Sequence, residues 1–290
     1  MNTAVLALPG FPDWGTPLRE AANAIVNQLV IRHGDQFEAA SQALLTVLLP
    51  LEQALRGTPA WVMLAGMTAL GWWLSRRWTF ALAMGAGLWF IGALGQWDQA
   101  MQTLALVMVA VLLALMLGLP TGVLCARSKV LRSVITPLLD LMQTIPSFVY
   151  LIPAAMLFGL GKVPAILATV IYAAPPLVRL TDLGLRQVPV DAVEAGRVLG
   201  ATRWQILRRI QLPMALPSIL QGLNQTAMMA LAMVVVASMI GARGVGETVL
   251  IGLQRNDPGT GLVGGLVIVV LAIILDRCLQ TLGQRRRPRA

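Results

Sequence analysis

The chain has 290 residues, of which 57% are hydrophobic and 12% charged, with a mean hydropathy of +0.74. A soluble chain of this length would hold about two domains, but this composition points to lipid as the main solvent. The net charge of +9 would suggest nucleic acid in a soluble protein; here the basic residues cluster between apolar spans, so the membrane accounts for them and nucleic acid is excluded as a partner.

Residues 1–14 have no basic stretch followed by an apolar run, so no cleavable signal peptide is expected. Pro9, Pro12 and Pro17 lead into a helical stretch, and between residues 37 and 55 the apolar positions Phe37, Leu44, Leu45, Leu48 and Leu51 recur at helical spacing, with Glu38, Gln42, Glu52 and Gln53 as the polar face. Residues 1–58 therefore read as an amphipathic region at the outer membrane surface. A full span is the alternative, weakened by Pro50 and the flanking acids.

Seven candidate spans follow, at 60–74, 79–94, 99–124, 137–160, 163–185, 214–240 and 262–279. The first two are short and form a peripheral pair over 59–95, with Trp61, Trp72, Trp73, Trp78, Trp89 and Trp97 mostly near their ends, as an interfacial aromatic belt requires. The core is expected over 96–281 and a basic tail over 282–290. Most of the basic residues fall on one side if the N-terminus is outside and the C-terminus inside, leaving only Arg19, Arg32, Arg56, Lys162, Arg243 and Arg255 outside. Pro120, Pro146, Pro153, Pro175 and Pro176 are expected to break or kink the spans. Gly118–Gly122 and Gly261–Gly265 have the spacing that permits close helix contact. Cys125 and Cys278 have no close sequence partner and read as reduced structural thiols.

Between the fifth and sixth spans lies a short basic hairpin over 190–212, entered at Pro189 and left at Pro213. Asp191 with Glu194, and Thr202 with Gln205, have capping-box spacing, and Gly200 between them is a natural helix stop. Arg197, Arg203, Arg208 and Arg209 make the segment basic, while Ala195, Leu199, Trp204 and Leu207 supply apolar contacts. The charge asymmetry places it in the cytoplasm. A docking element and an ordinary amphipathic loop both fit these patterns.

Candidate chemistry is sparse. Gly159-Leu160-Gly161-Lys162 lacks the hydroxyl residue and the spacing of a phosphate-binding loop, so ATP hydrolysis is not expected of this chain, which is read as a non-enzyme. The sole histidine, His33, has no Cys/His cluster around it, so no metal site is expected. Gln221, Asn224 and Gln225 share one helix face with Met228, and they either line a translocation path or bond neighbouring helices. Gln143 poses the same choice. Asp140, Asp182 and Asp276 lie near the expected cytoplasmic ends and read as interfacial or as paired with nearby arginines, not as proton relays. Residues 240–258 read as a long outer connection whose paired charges, Arg243, Glu247, Arg255 and Asp257, could meet an external partner.

Glu194-Ala195-Gly196, then Gly200-Ala201, Arg203 and Ile210-Gln211-Leu212-Pro213, resembles the EAA motif of bacterial ABC importer permeases, departing at Gly196 where alanine is commonest. Residues 139–153, 224–235 and 272–277 are similar to the glycine betaine/proline branch of that family. The resemblance implies an all-α, type I ABC importer permease fold of about seven transmembrane helices in the bacterial inner membrane. It implies that Glu194, Ala195, Gly196, Gly200, Ala201, Arg203, Ile210, Leu212 and Pro213 couple the chain to an ATPase. It further implies a homodimer with two copies of an ABC ATPase, which uses the ATP and magnesium, so that this chain carries no cofactor, and an external substrate-binding protein. The solutes implied are glycine betaine, proline betaine, choline, carnitine or proline, with histidine or another amino acid as the alternative in the same family. An ion-coupled secondary carrier would need inverted repeats and midmembrane ionisable groups, and neither is found.

Overall fold

The computed structural model describes residues 14–285, and the regular elements among them are all helical. The expectations for residues 1–13, and for the arginines of 286–290, lie outside the described residues. The long first helix, α1 (Gly15–Gly57), is kinked at His33, where φ and ψ of −129° and 16° leave the helical region. Two short apolar helices follow, α2 (Ala60–Ser75) and α3 (Trp78–Ala93), and then α4 (Trp97–Arg127). The pair α5 (Lys129–Thr144) and α6 (Ser147–Phe158) meets at 96°. Next come α7 (Lys162–Ala173) and α8 (Pro175–Arg186), the short α9 (Val190–Val198) and α10 (Arg203–Ile206), and the long α11 (Leu212–Ser238). The chain closes with α12 (Val245–Gln254) and α13 (Pro258–Arg285).

Of the seven expected spans, four coincide among the described residues with helices long and apolar enough to cross a bilayer, 97–127, 162–186, 203–238 and 258–283, and the bent α5–α6 pair is a fifth candidate. The stretches at 60–74 and 79–94 are helices of 16 residues, about 24 Å long against a hydrocarbon layer of about 30 Å. The stretch at 137–160 is broken because Pro146 drives the preceding Ile145 into extended backbone (φ −69°, ψ 128°). Pro120 and Pro153, by contrast, lie inside continuous helices and do not break them. Pro175 starts α8, where its missing N–H costs nothing.

The periodicity over 37–55 is realised: Leu48 is buried and Phe37, Leu44, Leu45, Leu51 and Leu55 are partly buried, against α4, α6 and α7. Phe37 meets Phe158 edge to face at 5.2 Å. The apolar stripe is thus covered by the protein's own helices. Glu52, read as part of the polar face, instead turns inward and is 4% exposed. It is held by Lys162 Nζ at 2.6 Å and Arg56 at 3.4 Å, and Arg56 in turn bonds Asp98 at the start of α4. A carboxylate can be buried only when paired in this way. Arg76 lies over the Trp72 ring at 5.5 Å, so one of the tryptophans holds the chain's own cation.

Small residues let the central helices approach one another. An added Cβ at Gly122 would lie 2.6 Å from Thr181 Cβ and 2.8 Å from the Val178 carbonyl, so the Gly118–Gly122 spacing does join α4 to α8. Gly184 faces Ser218 and Gly222 faces Leu177, joining α8 to α11 in the same way. In the second pair Gly261 packs its backbone on Gly252, whereas Gly265 has open space beside it. The result is a tightly packed α4–α8–α11 unit.

Candidate functional site

The hairpin is built on the end of that unit. Leu177, Leu185, Val188, Leu207, Ala215 and Ile219 form one buried cluster, with Val193 and Leu212 packed against it, so both arms of the hairpin are anchored in α8 and α11. The first arm, α9, starts at Pro189 with no side-chain cap. Asp191 sits inside its first turn rather than at the cap, which corrects the first capping box: Pro189 already fixes the entry angle, one residue before the helix. Glu194 is therefore exposed, with no hydrogen bond or ion pair among the described residues.

The turn and the second arm follow the sequence. Gly200 has φ +77°, its N–H donates to the Arg197 carbonyl at 2.9 Å, and the Ala201 N–H donates to the Gly196 carbonyl at 3.0 Å. These two bonds close a Schellman turn, which requires a left-handed residue at this point. Thr202 and Gln205 then exchange capping bonds: the Gln205 N–H donates to Thr202 Oγ1 at 3.3 Å, and the Thr202 N–H donates to Gln205 Oε1 at 2.8 Å. At Leu207–Gln211 the helix widens into a π-turn, because Pro213 has no N–H for the Arg209 carbonyl and its ring needs the extra room. Gly196 packs on Ile210, whose Cδ1 lies 2.6 Å from where a Cβ would be. The glycine and the isoleucine of the motif thus fit one another across the hairpin.

The tip is unusual for a water-exposed segment. Val198, Leu199 and Trp204 are 88%, 86% and 62% exposed, and the exposed Arg197, Arg203, Arg208 and Arg209 lie between or within five residues of them in sequence. An apolar tip surrounded by cations has the composition of a docking surface. Ala195 is also exposed, while Ala201 is half-buried.

Of the polar positions, Gln221, Asn224 and Gln225 line one cleft of about 380 Å³ together with Pro217 and Gln280. Met228 is turned into the apolar cluster among α3, α4 and α13, and Gln143 sits on α5, apart from the cleft. Asp276 pairs with amides, not with an arginine: it accepts from Asn224 Nδ2 and Gln280 Nε2, both at 2.7 Å. Asp140 does pair with Arg179, and Asp182 holds Arg186 through both oxygens at 3.0 and 2.9 Å. The sequence signal for the Asp276 clasp was the i, i+4 spacing to Gln280; its partner Asn224 is remote in sequence.

Segment 240–258 is not a plain connection, because it carries α12, buried at Val245, Gly246 and Gly252. The Val245 N–H donates to Thr103 Oγ1 at 2.9 Å, and Thr248 Oγ1 donates to Gln96 at 2.8 Å, which ties it to α4. Arg243, Glu247, Arg255 and Asp257 form no ion pair among the described residues, so the expected charge pairing is absent there. Asp257 instead caps α13, accepting from Thr260 Oγ1 at 2.6 Å and from the Gly259 and Thr260 N–H groups. The Thr260 hydroxyl, more than any other neighbour, holds its carboxyl below the usual carboxylate range.

Residues 118–288 match the family described as binding-protein-dependent transport system inner membrane components. The chain is 49% identical to the glycine betaine/proline betaine transport system permease protein ProW of Escherichia coli (strain K12), over 84% of this chain and 68% of that protein. It is 39% identical to the glycine betaine transport system permease protein OpuAB of Bacillus subtilis (strain 168), over 94% of this chain and 96% of that one. Its fold is similar to that of a chain in an inward-facing MetNI methionine ABC transporter, with a TM-score of 0.59 at 23% identity, covering 64% of this chain and 93% of that chain.

Proposed function

The chain belongs to the family of binding-protein-dependent transport system inner membrane components, and on that premise we propose that it is the permease subunit of an ATP-driven importer for a compatible solute, glycine betaine first among them. It is a multi-pass inner membrane protein. In this reading two copies of the chain form the path, two copies of a separate ABC ATPase hydrolyse ATP on the cytoplasmic side, and a substrate-binding protein delivers solute outside. Choline, carnitine, proline and proline betaine are the related solutes.

The observation that carries the reading is the hairpin: an exposed apolar tip on a doubly capped turn, rooted in the buried ends of α8 and α11. When the ATPases close, each pulls its hairpin. The glycine contacts make α4, α8 and α11 move together, because a close-packed interior transmits displacement instead of absorbing it. The break at Ile145–Pro146 and the loop at Gly159–Gly161, both glycines with positive φ, separate the moving unit from α6. The cleft at Gln221, Asn224 and Gln225 then opens or shuts as part of the path, and Arg243, Glu247 and Arg255 meet the binding protein. In this reading the described part of the N-terminal region, 14–58, and the pair of helices over 59–95 act as a peripheral brace around the core at 96–281.

The test is reconstitution of the chain in vesicles with its ATPase and binding protein. Uptake of labelled glycine betaine that requires ATP and both partners supports the proposal. Uptake that persists without the ATPase, driven by an ion gradient, refutes it.

A further inference from the structure

The helix α1 crosses the joint between α6 and α7 and grips both sides of it. The joint is the loop Gly159–Gly161, whose two glycines have φ of +78° and +124°, and a Cβ built on either meets nothing within 4 Å. Leu160 between them is exposed. A cleft of about 410 Å³ opens beside the loop, lined by Phe158, Leu160 and Lys162 and, from α1, by Ser41 and Leu45. Two left-handed glycines with free space around them make a hinge, because neither the backbone nor its neighbours fix the turn.

The hold on this hinge comes from α1. Phe37 meets Phe158, the last residue of α6, edge to face at 5.2 Å. Glu52, about 22 Å further along α1, accepts from Lys162 Nζ, on the first residue of α7, at 2.6 Å. The Glu52 end is anchored again on α4, since Arg56 joins Glu52 to Asp98 and Gln102 donates to Asp98 at 2.8 Å. A chain of polar contacts therefore runs from α7 through α1 to α4. Glu52 at its centre is buried, so Lys162 cannot leave without stranding a carboxylate short of a cation inside the protein. The helix α4 packs tightly with α8 and α11, and α7 leads straight into α8. In this way α1 ties α6 to that unit across a joint that would otherwise let them turn apart.

We propose that α1 is a clamp on the α6–α7 hinge, fastened by Glu52, which limits how far α6 turns against α4, α8 and α11 when the hairpin is pulled. Its effect on transport rests on the permease reading given above; the clamp itself does not. Glu52 is a positioning residue, acting on the path through Lys162 and the hinge.

The experiment places spin labels on α4 and α6 at Met116→Cys and Ile152→Cys, both exposed, in a Cys125→Ala, Cys278→Ala background. Their distance is read by pulsed electron paramagnetic resonance in the permease reconstituted with its ATPase. The parent should give one narrow distance without nucleotide. Glu52→Gln, Lys162→Gln and Phe37→Ala should each add a second, displaced population, while Lys162→Arg, which keeps the charge, should match the parent. Glu52→Gln combined with Phe37→Ala should displace no more than the larger single change, since a clamp opened at one end is already open. Its loss of thermal stability should instead be the sum of the two single losses, as for sites this far apart. ATP hydrolysis without the binding protein should rise about fivefold or more in the displaced variants. Distances in Glu52→Gln and Lys162→Gln as narrow as the parent's overturn the proposal. A displacement that adds up in the combined variant as the stability does also overturns it, and so does unchanged hydrolysis in variants whose hinge has opened. A parent complex whose hydrolysis ignores the binding protein counts against the permease reading instead, and the distances still decide the clamp.

Discussion

Replacing Gly200 separates backbone strain from packing at the hairpin turn. Its φ is +77°, and a Cβ built there meets nothing within 4 Å, so Gly200→Asn, Gly200→Ala and Gly200→Val add conformational cost without a clash. Left-handed backbone costs an L-residue roughly 1–2 kcal/mol, least for asparagine and most for a β-branched side chain. Relaxing to negative φ would break the Gly200 and Ala201 N–H bonds to the Arg197 and Gly196 carbonyls, worth about 1 kcal/mol each. Either route shifts the population of the intact turn by about 5- to 30-fold. ATP-driven uptake in vesicles should therefore fall in the order Gly, Asn, Ala, Val. Membrane insertion should persist, because the buried cluster under the hairpin is untouched. Uptake by the valine variant equal to that of the parent, or asparagine as the worst of the three, would refute the reasoning.

Gly122→Ala should destabilise the α4–α8 contact by about 1–3 kcal/mol, since the new methyl meets the Val178 carbonyl at 2.8 Å and backbone cannot step aside; thermal unfolding in detergent measures it, with Gly265→Ala, which faces open space, as the neutral control. Glu52→Gln should cost about 2 kcal/mol by leaving Lys162 without its carboxylate, and exchanging the two charges between positions 52 and 162 should recover part of the loss in the same assay. The Asp257 carboxyl has its folded value lowered, so it stabilises the first turn of α13 fully above the ordinary value of 3.8 and loses that effect as pH falls through the lower folded value. Hydrogen exchange at Gly259 and Thr260 should accordingly gain protection between the folded value and 3.8 in the parent protein, and Asp257→Ala should lack that pH step.

The hairpin was legible in the sequence because its determinants are local: Gly200, Thr202 with Gln205, and Pro213 each act within five residues. The Asp191 cap failed because Pro189 competes for the same helix start. Helix continuity was harder. Proline at 120 and at 146 look alike in sequence, yet only the second breaks the chain, since tertiary packing decides whether a kinked helix is held together. Glu52 could not be placed because its partner Lys162 is 110 residues away, and without that partner a carboxylate on a helix reads as a solvated face. The helix α12 was missed for a related reason: it is held by contacts remote in sequence, Gly246 lying close against α11 and Gly252 against α13.

The claim that the hairpin transmits the work of a partner ATPase is tested most directly by tying the two together. A single cysteine at Val198, 88% exposed at the tip, is cross-linked to the ATPase in vesicles that also hold the binding protein. The account expects the cross-link to form at the inner face and to stop solute uptake, with release by reduction restoring it. ATP-driven uptake in vesicles where no such cross-link forms, or uptake unaffected by the tie, would contradict it.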